Sequence, residues 1–275
     1  MRLRLTAVAA VLAIAAIGVG AGCGGDDDDD GGGGGGDLGL IQDGQLLVGT
    51  DTPYPPFEIG QPPNITGYDI EVGREVAKRL NLEPTFQDTS FDTIFRDLSQ
   101  GKFDFVLAAT TITPEREQKV DFSDPYYAAD QALVVTPGSD IRTVEDLDGV
   151  TVGAQDGTTG EAFANDETNA SDVRGFPEGP DAIQALKAGQ VDATIIDNPV
   201  AQDALQKEGG IEIPTLIPTG ELYGIPFAQD GDALRERANQ ALQEMKDDGT
   251  LAALYQKYFK VEPPQDVLTG KTAVQ

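Results

Sequence analysis

Apolar and polar positions change their rhythm three times along this chain. Residues 5–19 are an apolar run, Leu, Ala, Val and Ile apart from Thr6 and Gly18, behind Arg2 and Arg4. The run falls short of the roughly 20 residues that a helix needs to cross hydrocarbon, and Gly20, Ala21 and Gly22 follow it, so it reads as a signal peptide. Residues 26–30 are consecutive aspartates and residues 31–36 consecutive glycines. Such a stretch has no apolar side chain to bury and reads as a flexible, self-repelling tether. From Leu46 onward, short apolar runs alternate with stripes at helical spacing.

The stripes predict the elements. Residues 46–48 make a strand; Ile70, Val72, Val76, Ala77 and Leu80 mark a helix, and Phe91, Ile94, Phe95 and Leu98 mark a second, since spacings of three and four share one helix face. Gly101 ends that helix, and residues 103–109 follow as a buried strand. The second half repeats the grammar: strand at 150–153, helix at 181–188, strand at 191–196, helix at 199–206 with Pro199 in its first turn. The alternation predicts an α/β fold with a mainly parallel sheet. Extended runs at 132–136 and 222–227 flank the second half and suggest two hinge crossings between lobes. At the C-terminal end, Leu234, Ala238, Ala241, Leu242 and Met245 form one helical stripe. Asp248-Gly249-Thr250 stops and recaps it, and Leu251, Leu254, Tyr255, Tyr258 and Phe259 form another. The organisation expected is a signal peptide at 1–22 and a tether at 23–43. One lobe takes 44–131 and 228–262, a second lobe with its hinge strands takes 132–227, and 263–275 form a mobile tail.

Charge and rare residues narrow the chemistry. The chain has 19 basic and 47 acidic residues and a net charge of −28. Losing residues 1–22 removes Arg2 and Arg4 and takes the net to −30, which disfavours nucleic acid and anionic lipid as partners. There is no His, and Cys23 is the only Cys. No disulfide, Ser-His-Asp triad, Cys-His pair or His/Cys metal cluster can be built from such a chain; no cofactor, metal or catalytic residue is expected. Cys23 stands directly after the small residues, where a lipoprotein signal peptidase would leave it first in the mature chain, although Gly20 holds the position where such signals usually carry Leu. The alternatives are a secreted protein with a free thiol and an uncleaved anchor.

Four segments in order then become specific: Gly49-Thr50-Asp51-Thr52-Pro53-Tyr54-Pro55-Pro56-Phe57-Glu58, Gly67-Tyr68-Asp69-Ile70-Glu71, Thr111-Ile112-Thr113-Pro114-Glu115-Arg116 and Val120-Asp121-Phe122-Ser123-Asp124-Pro125-Tyr126-Tyr127. With Gly157-Thr158-Thr159 and Asp248-Gly249-Thr250, they resemble the family 3 extracellular solute-binding proteins of polar amino acid ABC transporters. The likeness runs over about residues 46–261. It implies the two-lobed fold of type II periplasmic binding proteins, with an amino acid in the cleft and ABC permease subunits as partners. It also implies a monomer outside the cytoplasmic membrane, here held by a lipid on Cys23.

The resemblance assigns roles, and each has a bland alternative. Arg116 matches the arginine whose planar fork binds the ligand α-carboxylate; otherwise it pairs with Glu115 or Asp121 on the surface. Thr111 matches a helping hydroxyl, and Ala109 a position used through its backbone. Gly157, Thr158 and Thr159 precede a helix near 160–165, whose N–H groups offer a second carboxylate clamp or only a helix cap. Asp197 ends a buried strand and matches the acceptor of the α-ammonium, or it caps the helix at Pro199. Tyr54 and Phe91 match aromatic walls, Phe91 also lying on a core stripe, while Phe57 belongs to the core. Asp51 matches the distal end of the pocket, with Gln155 and Glu161 as further polar candidates; an acidic or neutral far end favours a basic or polar amino acid. The competing functions are an enzyme on the same fold, such as a cyclohexadienyl dehydratase with Glu161 as general acid, and a sensory surface protein without an importer. If Cys23 carries the anchor, Cys23→Ala moves the protein from the membrane fraction to the aqueous phase in detergent partitioning; continued membrane partitioning would rule out lipidation at this residue.

Overall fold

A computed structural model describes residues 38–270 of the chain; the expectations for the signal peptide, Cys23 and most of the tether lie outside these residues. In chain order, the first part holds β1 (Gln45–Thr50), the hairpin β2 (Ile59–Gln61) and β3 (Asn64–Thr66), α1 (Tyr68–Leu80), β4 (Glu83–Asp88), α2 (Phe91–Ser99), β5 (Phe105–Val106), α3 (Pro114–Glu117) and β6 (Asp121–Phe122). The second holds β7 (Tyr127–Val135), a 3-10 turn (Val144–Leu147), β8 (Thr151–Gln155), α4 (Thr159–Asp166), β9 (Asp172–Phe176), α5 (Gly179–Lys187), β10 (Ala193–Asp197), α6 (Asn198–Lys207) and β11 (Glu212–Tyr223). The chain then continues through β12 (Pro226–Phe227), α7 (Asp232–Asp247), α8 (Thr250–Tyr258) and α9 (Gln265–Thr269).

Two sheets make two lobes. The first sheet has the order β4-β1-β5 and is parallel throughout, with Val48 opposite both Phe86 and Phe105. Leu46 and Val48 are fully buried because helices cover this sheet. The second sheet has the order β11-β7-β10-β8-β9, and only its β10-β8-β9 part is parallel; β7 runs antiparallel to both β10 and β11. The α/β class holds, while the mainly parallel reading fits the first sheet and half of the second. The reason is topological: β7 and β11 are the strands by which the chain enters and leaves the second lobe, so they point opposite ways.

The expected extended run at 132–136 is the far half of β7, where Ala132 and Leu133 pair with Ile196 and Ile195. The segments that pair between the sheets lie earlier: Ser123 N donates to Ile225 O at 3.0 Å and Tyr126 N to Tyr223 O at 3.0 Å. Around them sits an aromatic cluster. The Tyr127 ring lies 5.0 Å from Phe57, 5.0 Å from Tyr255 and 4.6 Å from Phe259, so α8 of the first lobe packs on the strand that opens the second. Helices α7 and α8 pack on α1, returning the chain to the first lobe. The stretch expected as a mobile tail begins instead with α9, whose Val267 is fully buried against that core.

Helix α1 shows how local sequence sets the cleft. Asp69 and Glu71 stand in its first turn and Lys78 and Arg79 in its last, matching the macrodipole, and Asn81 closes it in the left-handed conformation. Its start depends on Gly67, which has φ +132° and packs so tightly that a Cβ there would lie 1.9 Å from Phe57 O. Gly67→Ala is expected to cost more than about 3 kcal/mol by combining backbone strain with a clash against main chain, lowering the melting temperature by at least about 6 °C. Gly189→Ala, with positive φ but open space around it, should cost only about 1 kcal/mol. Equal melting temperatures for the two variants would show that the close approach at Gly67 is not a constraint.

Candidate functional site

Between the lobes lies a small, tightly closed cavity, lined by Asp51, Tyr54, Phe91, Ala108, Ala109, Thr111, Arg116, Gln155, Thr158, Thr159 and Asp197. All ten residues expected at the ligand site face this one space, with Ala108 beside them. Lobe one supplies them from the end of β1, the start of α2 and the loop after β5; lobe two from the end of β8, the start of α4 and the end of β10. These are the carboxyl ends of parallel strands, where open α/β sheets leave a crevice.

Arg116 sits on the short helix α3, whose N-cap Thr113 accepts from the Arg116 backbone N–H. Its side chain is 8 % exposed. Nη1 donates to Thr111 O at 2.8 Å and Nη2 to Gly157 O at 3.2 Å, so one guanidinium spans the two lobes. The rings of Phe91 and Phe95 each lie 5.2 Å from its Cζ, and a guanidinium over aromatic faces is held in place while staying charged. Burial pulls its pKa below the ordinary value, and Glu221 and Asp197 oppose that pull. No carboxylate lies within ion-pair distance of Arg116 among the described residues; the surface pairing with Glu115 or Asp121 is absent. Phe91 is thus a core residue on α2 that also lines the cavity and lies under Arg116.

Asp197 is buried without a basic partner. Its Oδ2 accepts from Tyr54 OH at 2.8 Å and from Tyr223 OH, and its Oδ1 accepts from Gln131 Nε2. It stands at the N-cap position of α6 but makes no side-chain capping bond; the side chain turns to the cleft instead. Burial, with Glu221 nearby, pushes its pKa up to about 7. Tyr54 reaches it because α5 begins with Gly179, where a Cβ would lie 2.6 Å from the Tyr54 ring. Tyr54 is therefore a hydrogen-bonding wall, joining the lobes through its hydroxyl.

The start of α4 is a tightly capped helix. Thr158 Oγ1 donates to Gln155 O at 2.8 Å and accepts from Glu161 N at 3.2 Å, so its hydroxyl is spent on the cap. Glu161 does not line the cavity: its carboxylate turns back to accept from Gly157 N at 2.7 Å, as an acid at the third helical position does. Ala109 has φ +46° and gives its N–H to Asp69 Oδ2 at 2.7 Å, so its role at the site is a backbone one.

At the opposite end the cavity is acidic. Gln155 Nε2 donates to Asp51 Oδ2 at 2.6 Å and to Pro177 O at 3.0 Å. Burial, with Asp88 close by, pushes Asp51 up to about 7; burial together with Asp51, Asp88 and Asp181 pushes Glu178 up to about 8. Asp51 Oδ1 and Glu178 Oε2 are buried with no donor among the described residues. Such an arrangement favours a cation.

Four polar residues beside the cavity lining were not read from the sequence: Gln131, Glu178, Glu221 and Tyr223. Glu221 accepts from Thr111 Oγ1 at 2.6 Å, Thr159 Oγ1 at 3.0 Å and Gln131 Nε2 at 3.1 Å. A signal existed for two of them, since Glu221 and Tyr223 share one face of a strand at period two. The extended run expected from residue 222 began one position too late to show it.

Residues 46–261 match the bacterial extracellular solute-binding proteins, family 3. The L-cystine-binding protein TcyJ of Escherichia coli strain K12 is 34 % identical over 224 residues, covering 78 % of this chain and 83 % of its own. An ancestral arginine-binding protein bound to arginine superposes with a TM-score of 0.74 at 41 % identity, covering 78 % of this chain and 98 % of that one. The ancestral amino acid-binding protein AncCDT-1, a precursor of cyclohexadienyl dehydratase, gives a TM-score of 0.74 at 37 % identity, covering 78 % and 96 %. With a cleft framed by Arg116 and Asp197 and a match over most of its length, this chain belongs to family 3 of the bacterial extracellular solute-binding proteins.

Proposed function

We propose that this protein is the extracytoplasmic receptor of an ABC importer and binds a free L-amino acid with a basic side chain between its lobes. The observation that carries the reading is the pairing of Arg116 from one lobe and Asp197 from the other on one cavity, with an unpartnered oxygen of Asp51 at the far end and the charge of Glu178 near it. Arg116 would take the α-carboxylate with its remaining donors, helped by N–H groups at the start of α4. Asp197 would take the α-ammonium, and Asp51 with Glu178 a cationic side chain. The arginine-bound structural relative supports a basic ligand. Ala109, Thr111, Gln155, Thr158 and Thr159 would then form a wall around the α-carbon and its substituents.

We read the chain as a receptor and not an enzyme. The acid expected for dehydration, Glu161, is committed to Gly157 N–H, and the family relative TcyJ is named for binding. Neither lobe alone can neutralise both ends of a zwitterion, so the ligand would favour the closed arrangement, and the closed form would be what the permease recognises. Lobe motion would centre on residues 123–127 and 223–225, where the crossing segments pair. Acylation of Cys23 and the Asp/Gly tether would hold this monomeric receptor at the outer membrane face within reach of its permease.

Removing one member of a buried charged set costs roughly 3–5 kcal/mol, and 1.4 kcal/mol is about a factor of ten. Arg116→Ala or Asp197→Ala should therefore weaken L-arginine binding about a hundredfold or more in isothermal calorimetry, with the circular dichroism spectrum unchanged. Either variant within about threefold of the parent would remove that residue from the site.

Acid should weaken binding. Asp197 and Asp51, both raised to about 7 without ligand, are partly protonated at neutral pH. A bound cation favours their ionised forms, so binding expels protons. Affinity for L-arginine is expected to rise from about pH 5 to pH 8 and then level off. Titrations near neutrality, in buffers of different ionisation enthalpy, should show net proton release; a flat profile would mean that these carboxylates do not face the ligand's charges.

A further inference from the structure

Glu221 is a buried acid that the assigned roles leave unused. It lies on β11 just past a β-bulge, where the register against β7 jumps between Ile217 opposite Gln131 and Glu221 opposite Ala129. Gln131 is two residues along β7 from Ala129 and pairs directly with Asp197 on β10. Asp197 and Gln131 are therefore cross-strand neighbours, and Glu221 and Tyr223, opposite Ala129 and Tyr127, lie on the same sheet face. The amide of Gln131 sits between two carboxylates, and its two Nε2 protons serve Asp197 Oδ1 and Glu221 Oε1. Its 3.3 Å approach to Thr159 Oγ1 has no proton left to complete a full bond.

The other oxygen of Glu221 collects two hydroxyls. Thr111, from the first lobe, and Thr159, the first residue of α4 in the second, both point their Oγ1 at Glu221 Oε2, at 2.6 and 3.0 Å. A carboxylate only accepts, and a threonine hydroxyl has one proton. Both protons are consequently given to Glu221, and each Thr oxygen turns lone pairs to the cavity that it lines.

We propose that Glu221 is a specificity-determining positioning residue: by taking the hydroxyl protons of Thr111 and Thr159, it makes both oxygens acceptors only and reserves them for the α-ammonium of the ligand. The inference rests on the amino acid reading above and sharpens it. Thr111 and Thr159 then cannot donate to the α-carboxylate, which falls to Arg116 and backbone N–H groups alone, and the ammonium gains two acceptors beside Asp197. An acid lacking the α-amino group would meet three acceptors with no donor to offer them, a mismatch that sites of this kind reject strongly. Since Thr111 and Thr159 come from different lobes, the same carboxylate also ties the acceptor set together only when the lobes are closed.

The test compares L-arginine with 5-guanidinopentanoic acid, which is arginine without its α-amino group, by calorimetry on the full mature chain. The readout is the ratio of the two dissociation constants. In Glu221→Gln, the new amide NH2 must face either the Gln131 Nε2 donor or the two threonine oxygens; turned to the threonines it frees both hydroxyls to rotate, and the preference for L-arginine should fall at least about tenfold. Thr111→Val and Thr159→Val, which lose the acceptors but keep Glu221, should each lower the same ratio and serve if Glu221→Gln does not fold. Should the parent bind another common amino acid better than arginine, that ligand and its des-amino acid take their places. A ratio that stays within about threefold while both affinities drop would show Glu221 to be structural only and overturn this inference alone. A parent chain that binds no amino acid would overturn the receptor reading, and this inference with it.

Discussion

Burying carboxylates without matching cations is the constraint around which the cleft is built. Among the described residues, Asp51, Glu58, Asp69, Asp197 and Glu221 are buried in or near it, against Arg116 as the one buried basic side chain. Desolvation of an anion is offset here by neutral donors: Tyr54, Tyr223 and Gln131 for Asp197, Gln155 for Asp51, two threonines for Glu221, and Ala109 N–H with Tyr126 OH for Asp69. Neutral donors compensate only in part, which is why burial raises Asp51 and Asp197 to about 7. A cationic ligand would complete what the protein leaves unbalanced.

The same bonds account for the geometry. Tyr54 to Asp197, Gln155 to Asp51 and Arg116 to Gly157 each run from one lobe to the other, so the charges at the cavity wall are also the groups that hold the cleft shut. Behind them the aromatic cluster of Phe57, Tyr127, Tyr255 and Phe259 supplies contact that needs no charge. Polar contacts line the cavity and apolar contacts lie behind it: the first set can exchange with a ligand and water, while the second needs neither.

The site was legible where a residue's type and its segment agree on one role. Arg116 after a Thr-Pro helix start, Asp197 at the end of an apolar strand and Thr158 before a short helix are each marked by their neighbours. Thr158 turned out to spend its hydroxyl on the helix cap, and Glu161 followed it into that cap and out of the cavity, because a capping acid three positions into a helix folds back on the main chain. Gln131 and Glu178 carry no such mark. Gln131 sits inside an ordinary strand and Glu178 before a Gly-Pro helix start; Gln131 meets Asp197, 66 residues on, only in the folded chain, and only there does Glu178 come near the like charge of Asp51.

By itself the sequence determined the α/β class, the main helices, and the residue types gathered at the cavity. Periodicity of apolar side chains and the stereochemistry of Gly, Pro and capping residues are local, so they can be read from a few neighbours. What it left open was the antiparallel setting of β7 and β11, the docking of Val267 in α9, and which proton each hydroxyl in the cleft gives away. Those depend on contacts between residues far apart in the chain, such as Thr111 with Glu221 and Tyr54 with Asp197. The direction of a hydrogen bond belongs to the pair that makes it, and only the folded chain brings the members of the pair together.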